Sequence, residues 1–304
     1  MERLVFATMA ASGSYLKRAL MLFESLRTFS GELKNDLGII LVPKAVSPLS
    51  DEVKESFSAL NVRLVPFDLD EEARQFPLAS VVYASAEAEE QEKGKTGLLA
   101  WMLMDTLVVN PPVAFLVPGE ISFAYRPVHH TLIGPVYEKP LDSFWSLIYR
   151  HCGVTDDRVF PVETCVRDNI LRPYFNSGSF VVRPEKGLLA AWRECFERLY
   201  RHPDFEPFYQ KDVRYKIFMH QAVLAGVVLN MFKQEELQEL PESINYPLHL
   251  HDEYPPEHRP ATLNELITCR YESIEELLNS LKAIPVEEPL KSWLNQKLME
   301  TNSP

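Results

Sequence analysis

At 304 residues the chain is long enough for one large α/β domain with additions or for two smaller ones, and its 46% hydrophobic content is that of an ordinary globular protein. With 31 Lys and Arg against 43 Asp and Glu, the formal net charge is -12. No basic excess is available to offset phosphate, which excludes general affinity for nucleic acid or anionic lipid and leaves open only a local basic pocket.

In chain order, Arg3 precedes Leu4-Val5-Phe6-Ala7, and the small residues Ala10 and Ala11 mimic the end of a signal peptide. The apolar core is short, Thr8 interrupts it and an amphipathic helix follows at once, so a cytoplasmic protein without a secretory signal is expected. No run approaches the length of a membrane span. Residues 4–8 read as the first strand and 9–14 as a small-residue loop. From Tyr15 onward Leu16, Ala19, Leu20, Phe23 and Leu26 recur at helical spacing. Residues 37–43 supply a second strand, Ser47-Pro48 the cap and first turn of a second helix, and residues 61–66 a third strand. This alternation predicts a mostly parallel sheet with helices on both faces.

Charge accumulates from Glu87 to Lys95. Gly94-Lys95-Thr96 looks like the end of a phosphate-binding loop, but Glu89 stands where the earlier glycine belongs and a strand follows, so that motif is discounted. The stretch Trp101 to Pro112 reads as a buried strand interrupted by one carboxylate, Asp105, and stopped by two prolines; periodicity alone leaves a helix open. Asp105 either faces a ligand at the strand mouth, where open α/β sheets bind them, or begins a turn.

Farther on, residues 121–125 look like a strand, 142–149 a helix, and 156–172 an irregular flap or inserted loop. Tyr174 to Val182 returns to strand character, and its Gly178 marks either a close approach of backbone or ligand or a simple bulge. Residues 188–201 form an amphipathic helix, and 215–229 an apolar one in which His220-Gln221 need partners. Residues 245–260 read as loop and 266–271 as a last strand. Ser273 with Glu276 makes a capping box, 289–300 a peripheral helix, and 301–304 a fraying end. Cys152, Cys165, Cys195 and Cys269 form no CxxC pair, so buried free thiols are expected.

Several of these segments, in this order, resemble the nucleotide-diphospho-sugar transferase family, the glycosyltransferases of the GT-A fold, and especially the retaining branch related to glycogenin and bacterial galactosyltransferases. The resemblance runs from residue 4 to about 271. It rests on Phe6-Ala7-Thr8 with Tyr15-Leu16 and the helix ending Glu24-Ser25-Leu26-Arg27; Asp105-Thr106-Leu107-Val108; Tyr174-Phe175-Asn176-Ser177-Gly178; His220-Gln221; and Asn245-Tyr246-Pro247. It implies a single Rossmann-like α/β domain over residues 1–283, with a C-terminal helical tail over 284–304. By matched position it implies Ala7, Thr8 and Tyr15 near the base, Asp105 near the ribose or phosphates, and Asn176, Ser177 and Gln221 near the donor sugar, with Gln221, Asn176 and His220 as catalytic candidates.

The departures from the family pattern bear on the metal. Leu103 replaces the first acid of the family's Asp-x-Asp, Arg270 stands where a metal-binding histidine is usual, and His220 replaces an acid. Hard divalent cations need several oxygen ligands, so Asp105 alone is a weak site for Mn²⁺ or Mg²⁺, and metal independence is expected. An arginine can answer diphosphate charge instead, which nominates Arg270 together with Arg126; the alternative is that both make ordinary surface or structural ion pairs, and that alternative suits Arg126 better. His129, His130, His249, His251 and His258 lack a carboxylate at ligand spacing and read as structural groups or as partners of substrate hydroxyls.

The expected activity is transfer of a sugar from a nucleotide-diphosphate sugar, in the first instance a UDP-sugar, to an unspecified acceptor, by a monomer or dimer. The alternative is a non-catalytic nucleotide-sugar-binding protein that keeps the fold. A sugar nucleotidyltransferase fits less well, because the loop after the first strand has one glycine and no arginine, and a serine hydrolase lacks its Gly-x-Ser-x-Gly elbow.

Overall fold

The computed structural model describes residues 3–301 except 12, 47–48 and 167–168. The expected helix start at Ser47-Pro48 and the last residues of the expected fraying end lie outside them.

The first half builds an alternating frame. Strands β1 (Leu4–Met9), β2 (Gly38–Pro43) and β3 (Val62–Phe67) alternate with helices α1 (Ser14–Phe29) and α2 (Asp51–Ala59). Two further helices, α3 (Glu71–Gln75) and α4 (Ala79–Glu92), precede β4 (Leu98–Met102) and β5 (Thr106–Val108). Ser50 caps α2 by accepting the Val53 amide, and Asp51 and Glu52 favour its positive end. The apolar stretch read as one strand is therefore two. The backbone turns at Met104-Asp105, and β5 leaves the main sheet for a small one.

The second half closes the sheet with β6 (Phe123–Pro127), α5 (Ser143–Cys152), the short hairpin β7 (Val162–Glu163) and β8 (Ile170–Leu171), β9 (Phe175–Val182) and α6 (Leu188–Leu199). Two helices follow where one is expected, α8 (Val213–Ile217), after α7 (Glu206–Lys211), and α9 (Met219–Met231), with Phe218 between them. The chain ends through β10 (Leu237–Glu239), β11 (Tyr246–Pro247), β12 (Thr268–Arg270), α10 (Ile274–Ala283) and α11 (Leu290–Thr301). Ser273 caps α10 through the Glu276 amide, 3.1 Å away, whereas the Glu276 carboxylate accepts from the Glu272 amide rather than from Ser273.

Seven strands run in the order β10-β6-β9-β4-β1-β2-β3. All are parallel except β9, which is antiparallel to both neighbours. Strands covered on both faces carry nearly continuous apolar sequence, and β1 shows why. Val5 and Ala7 face a core shared with α4, α5, α6 and α9, while Leu4 and Phe6 face α1 and α2 on the other side. A third apolar cluster joins the small sheet β11-β12-β5 to α10 and α11 through Tyr246, Cys269, Tyr271, Leu277, Leu290 and Leu294. All four cysteines are free and buried, and the sulfurs of Cys152 and Cys195 lie 3.4 Å apart.

Candidate active site

A cleft of about 310 Å³ opens at the end of the sheet where β4 stops and the antiparallel β9 begins. Leu103 reaches it from the end of β4, Asn176 and Ser177 from the start of β9, His220 and Gln221 from the first turn of α9, and Arg270 from the end of β12. Ligands of open α/β sheets bind at such strand ends.

Hydrogen bonding fixes the wall formed by β9 and α9. Gln221 Oε1 accepts the Ser177 backbone amide at 3.0 Å, and Gln221 Nε2 donates to the Tyr174 hydroxyl at 3.3 Å. Ser177 Oγ lies 2.9 Å from His220 Nε2, and His220 Nδ1 lies 3.0 Å from the Ile217 carbonyl. A carbonyl can only accept, so Nδ1 carries the ring proton and Nε2 receives the Ser177 hydroxyl. Burial pushes the His220 imidazole down to about 4, which keeps it neutral near physiological pH.

Electrostatics fixes the opposite wall. Arg270 Nε and Nη2 meet the two Asp105 carboxylate oxygens at 3.2 and 3.4 Å, a forked pair. The Asp105 side chain is only 11% exposed against 25% for Arg270, so it is the guanidinium that lines the cleft, with the carboxylate behind it. Gly178 leaves room for the Asn176 side chain, whose Oδ1 accepts the Gly178 amide at 2.7 Å. A Cβ there would stand 2.8 Å from Asn176 Oδ1 and 3.5 Å from Arg270 Nη1, the guanidinium nitrogen that Asp105 does not hold.

His129 on the cleft wall has Nε2 buried without a hydrogen-bond partner, and the fully buried Asn245, beside Gly178, has neither side-chain amide atom partnered. Buried polar atoms are normally paired, so water or a ligand belongs beside these. Burial, with Arg126 and Arg270 nearby, holds His129 well below its usual pKa and therefore neutral. Two leucines on the cleft wall, Leu78 and Leu132, have φ of 58° and 47°, a left-handed conformation that bulky residues rarely adopt and that clusters at functional sites.

Of the residues nominated from sequence, the structure brings Asn176, Ser177, His220, Gln221 and Arg270 together, with Asp105 directly behind them. Arg126 does not join. It is 1% exposed, and its guanidinium is committed to Glu239, the Leu240 carbonyl and Cys165, so it braces β6 against β10 as the structural ion pair that was the alternative reading, and not as a group of the cleft. Ala7 and Thr8 are buried in the sheet and do not line the cleft, while Tyr15 is 45% exposed on α1 with the Arg18 guanidinium 5.8 Å from its ring. The discounted loop holds no anion site either: Lys95 Nζ donates to the Gln91 carbonyl and Thr96 to that of Arg3.

His129 and His130 line the cleft from a loop and His249 from a 3-10 turn, with Glu272 3.7 Å from the His249 ring. His251 and His258 instead hold Tyr246 and Glu242. Histidine spacing alone could not separate these roles.

A 3-2-1-4 run of parallel strands, one antiparallel strand and a cleft at the strand ends define the GT-A glycosyltransferase fold. Among solved structures, the chain is similar to the galactosyltransferase LgtC in complex with donor and acceptor sugar analogues, with a TM-score of 0.50 and 14% identity over 99% of this chain and 97% of that one. It is similar also to the bifunctional glycosyltransferase WbbM, with a TM-score of 0.50 and 14% identity over 93% of this chain and 50% of that one. No curated protein matches. A family model for the Rhodobacterales glycosyltransferase domain matches residues 6–231, and the chain belongs to that family. Among the described residues, no helix is long and apolar enough to cross a membrane.

Proposed function

We propose that the protein transfers a sugar from a nucleotide-diphosphate sugar, in the first instance a UDP-sugar, and that Arg270 answers the charge of the departing diphosphate in place of a divalent cation. The observation that carries this reading is the fork between Arg270 and Asp105. Departure of a nucleoside diphosphate builds negative charge on its oxygens, which a preorganised cation stabilises. A hard divalent ion needs several oxygen ligands. Here Leu103 offers none, and both oxygens of Asp105 already accept from a guanidinium. The residues present do not fit a metal. They do fit a fixed arginine, of which Asp105 holds Nε and Nη2 but not Nη1.

On this reading Asn176, Ser177 and Gln221 hold the donor sugar, and neutral His220 orients the Ser177 hydroxyl. Exposed Tyr15 is the aromatic face offered to the base, and Ala7 and Thr8 contribute only as the buried strand beneath it. Hydrolysis of a panel of nucleotide sugars by the full chain, with and without EDTA, tests the proposal. Chelation is expected to change the rate less than about twofold. R270A is expected to weaken nucleotide-diphosphate binding by roughly 10- to 100-fold, the worth of a charged hydrogen-bonded contact. Complete loss with EDTA and rescue by Mn²⁺ would overturn the metal-free reading. Saturable binding with no turnover on any donor would identify a binding protein that keeps the fold.

A further inference from the structure

A second convergence of ligating side chains lies outside the cleft. His151 is in the last turn of α5, and His202 and Asp204 belong to the connection from α6 to α7. Their ligand atoms lie within 4.8 Å of one another. Asp204 Oδ2 is 3.7 Å from His151 Nε2 and 3.8 Å from His202 Nδ1, and the two imidazole rings are 4.7 Å apart. None of the three residues lines the cleft.

One observation beside that geometry points to a bound cation. His151 Nε2 is buried and has no hydrogen-bond partner although it faces a carboxylate. His202 Nδ1 accepts the Asp204 backbone amide at 3.3 Å, so it carries no proton, and a cation there displaces that long hydrogen bond from the nitrogen's single lone pair.

We propose that His151, His202 and Asp204 bind a divalent cation of the zinc class, with water completing a four-coordinate shell. Two imidazoles and one carboxylate select zinc-like ions over Mg²⁺ or Ca²⁺. Ligand bonds of about 2.0–2.1 Å place tetrahedral ligand atoms roughly 3.3–3.5 Å apart, so the three groups need to close by no more than about 1.5 Å. The competing cation is Arg150, whose Nη2 is 3.5 Å from Asp204 Oδ2 on a side chain that is 66% exposed. An exposed pair of that kind is weak, and Arg150 swings into solvent when the ion arrives. Arg198 lies on the other side but spends its contacts on the His151 carbonyl and Cys195. The ion ties the α6–α7 connection to the end of α5. It leaves the sugar cleft untouched, so metal effects on stability and metal effects on turnover have separate origins.

The test is titration of tag-free, metal-stripped full-length protein with Co²⁺, read by the visible bands of tetrahedral cobalt, followed by displacement with Zn²⁺ in a calorimeter. One ion per chain is expected, with a rise in Tm that Mg²⁺ does not reproduce. H151A and H202A are each expected to weaken Zn²⁺ binding by about 10-fold or more. D204N, which keeps shape and removes charge, should weaken it too, with nucleotide binding at the cleft unchanged in all three. Absence of saturable one-to-one binding by the unaltered protein, or equal affinity in the three variants, would overturn the proposal whatever the outcome of the EDTA experiment on turnover.

Discussion

Gly178 is the residue on which the cleft's spacing depends, because hydrogen rather than a methyl group faces Asn176 Oδ1 and Arg270 Nη1. G178A places a carbon 2.8 Å from the Asn176 oxygen, well inside contact distance, and the neighbours must shift. The expected result is a loss of roughly 1–3 kcal/mol in chemical denaturation, as for other overpacked sites, with a fall of about 10-fold or more in nucleotide-diphosphate affinity. Unchanged affinity would show that the position of Asn176 and Arg270 is unimportant. At this scale the sequence was informative where chemistry is local. The tandem His220-Gln221 in an apolar helix demanded partners, and Ser177 and Tyr174 provide them. Pairing across the fold was less accessible. Nothing near Arg126 in sequence reveals Glu239 or Cys165 as its neighbours, whereas the family pattern placed Leu103 and Arg270 in one site before any contact was visible.

Among elements, α4 is the longest that the sequence concealed. Its residues are buried nearly all round, so no apolar stripe alternates with a polar one, and its acids look like a solvated face. Two of those acids are interior: Glu92 pairs with Arg63, and Glu89 accepts the Leu189 and Ala190 amides at 3.0 and 2.8 Å, capping α6 from another helix. E89A leaves two amide donors at the head of α6 without their acceptor and is expected to lower stability by roughly 1–3 kcal/mol, with nucleotide binding intact. A change below about 0.5 kcal/mol in urea denaturation would mean that water replaces the carboxylate without cost. The split of the Trp101 to Pro112 stretch into β4 and β5 was hidden for a related reason. Both pieces are apolar, and only the partners they choose, β1 and β9 for one and β12 for the other, separate them.

For the molecule as a whole, the buried titratable groups give stability a pH signature. His220 falls from 6.5 to about 4 on folding, so the unfolded chain binds more protons between those values. Stability from this group is present above pH 6.5 and is lost as pH falls through 4, by up to roughly 3 kcal/mol. Glu89 is raised by burial to about 7 and acts oppositely, its contribution being present below about pH 4.5 and lost as pH rises through 7. The unaltered protein sums both, so the clean measurement is the difference between it and H220N across pH 4–7, which should slope upward with pH. A flat difference would place the imidazole's protonation equilibrium where it is in the unfolded chain. The alternating frame of the first half was legible from periodicity, and so was the last strand around Thr268–Arg270, whereas the pairing of β5, β11 and β12 into a small sheet was not, since β11 is two residues long and its partners are distant in sequence. That small sheet has a bearing on the order in which the protein is made. The sequence neighbours of Arg270, Cys269 and Tyr271, pack with Leu290, Leu294 and Leu298, and Lys297 reaches back to Glu24 on α1. During synthesis the parallel strands emerge well before Thr268–Arg270, so β5 gains its partner, and Asp105 its guanidinium, only after they do. A nascent chain thus holds an assembled frame while that carboxylate is still unpaired.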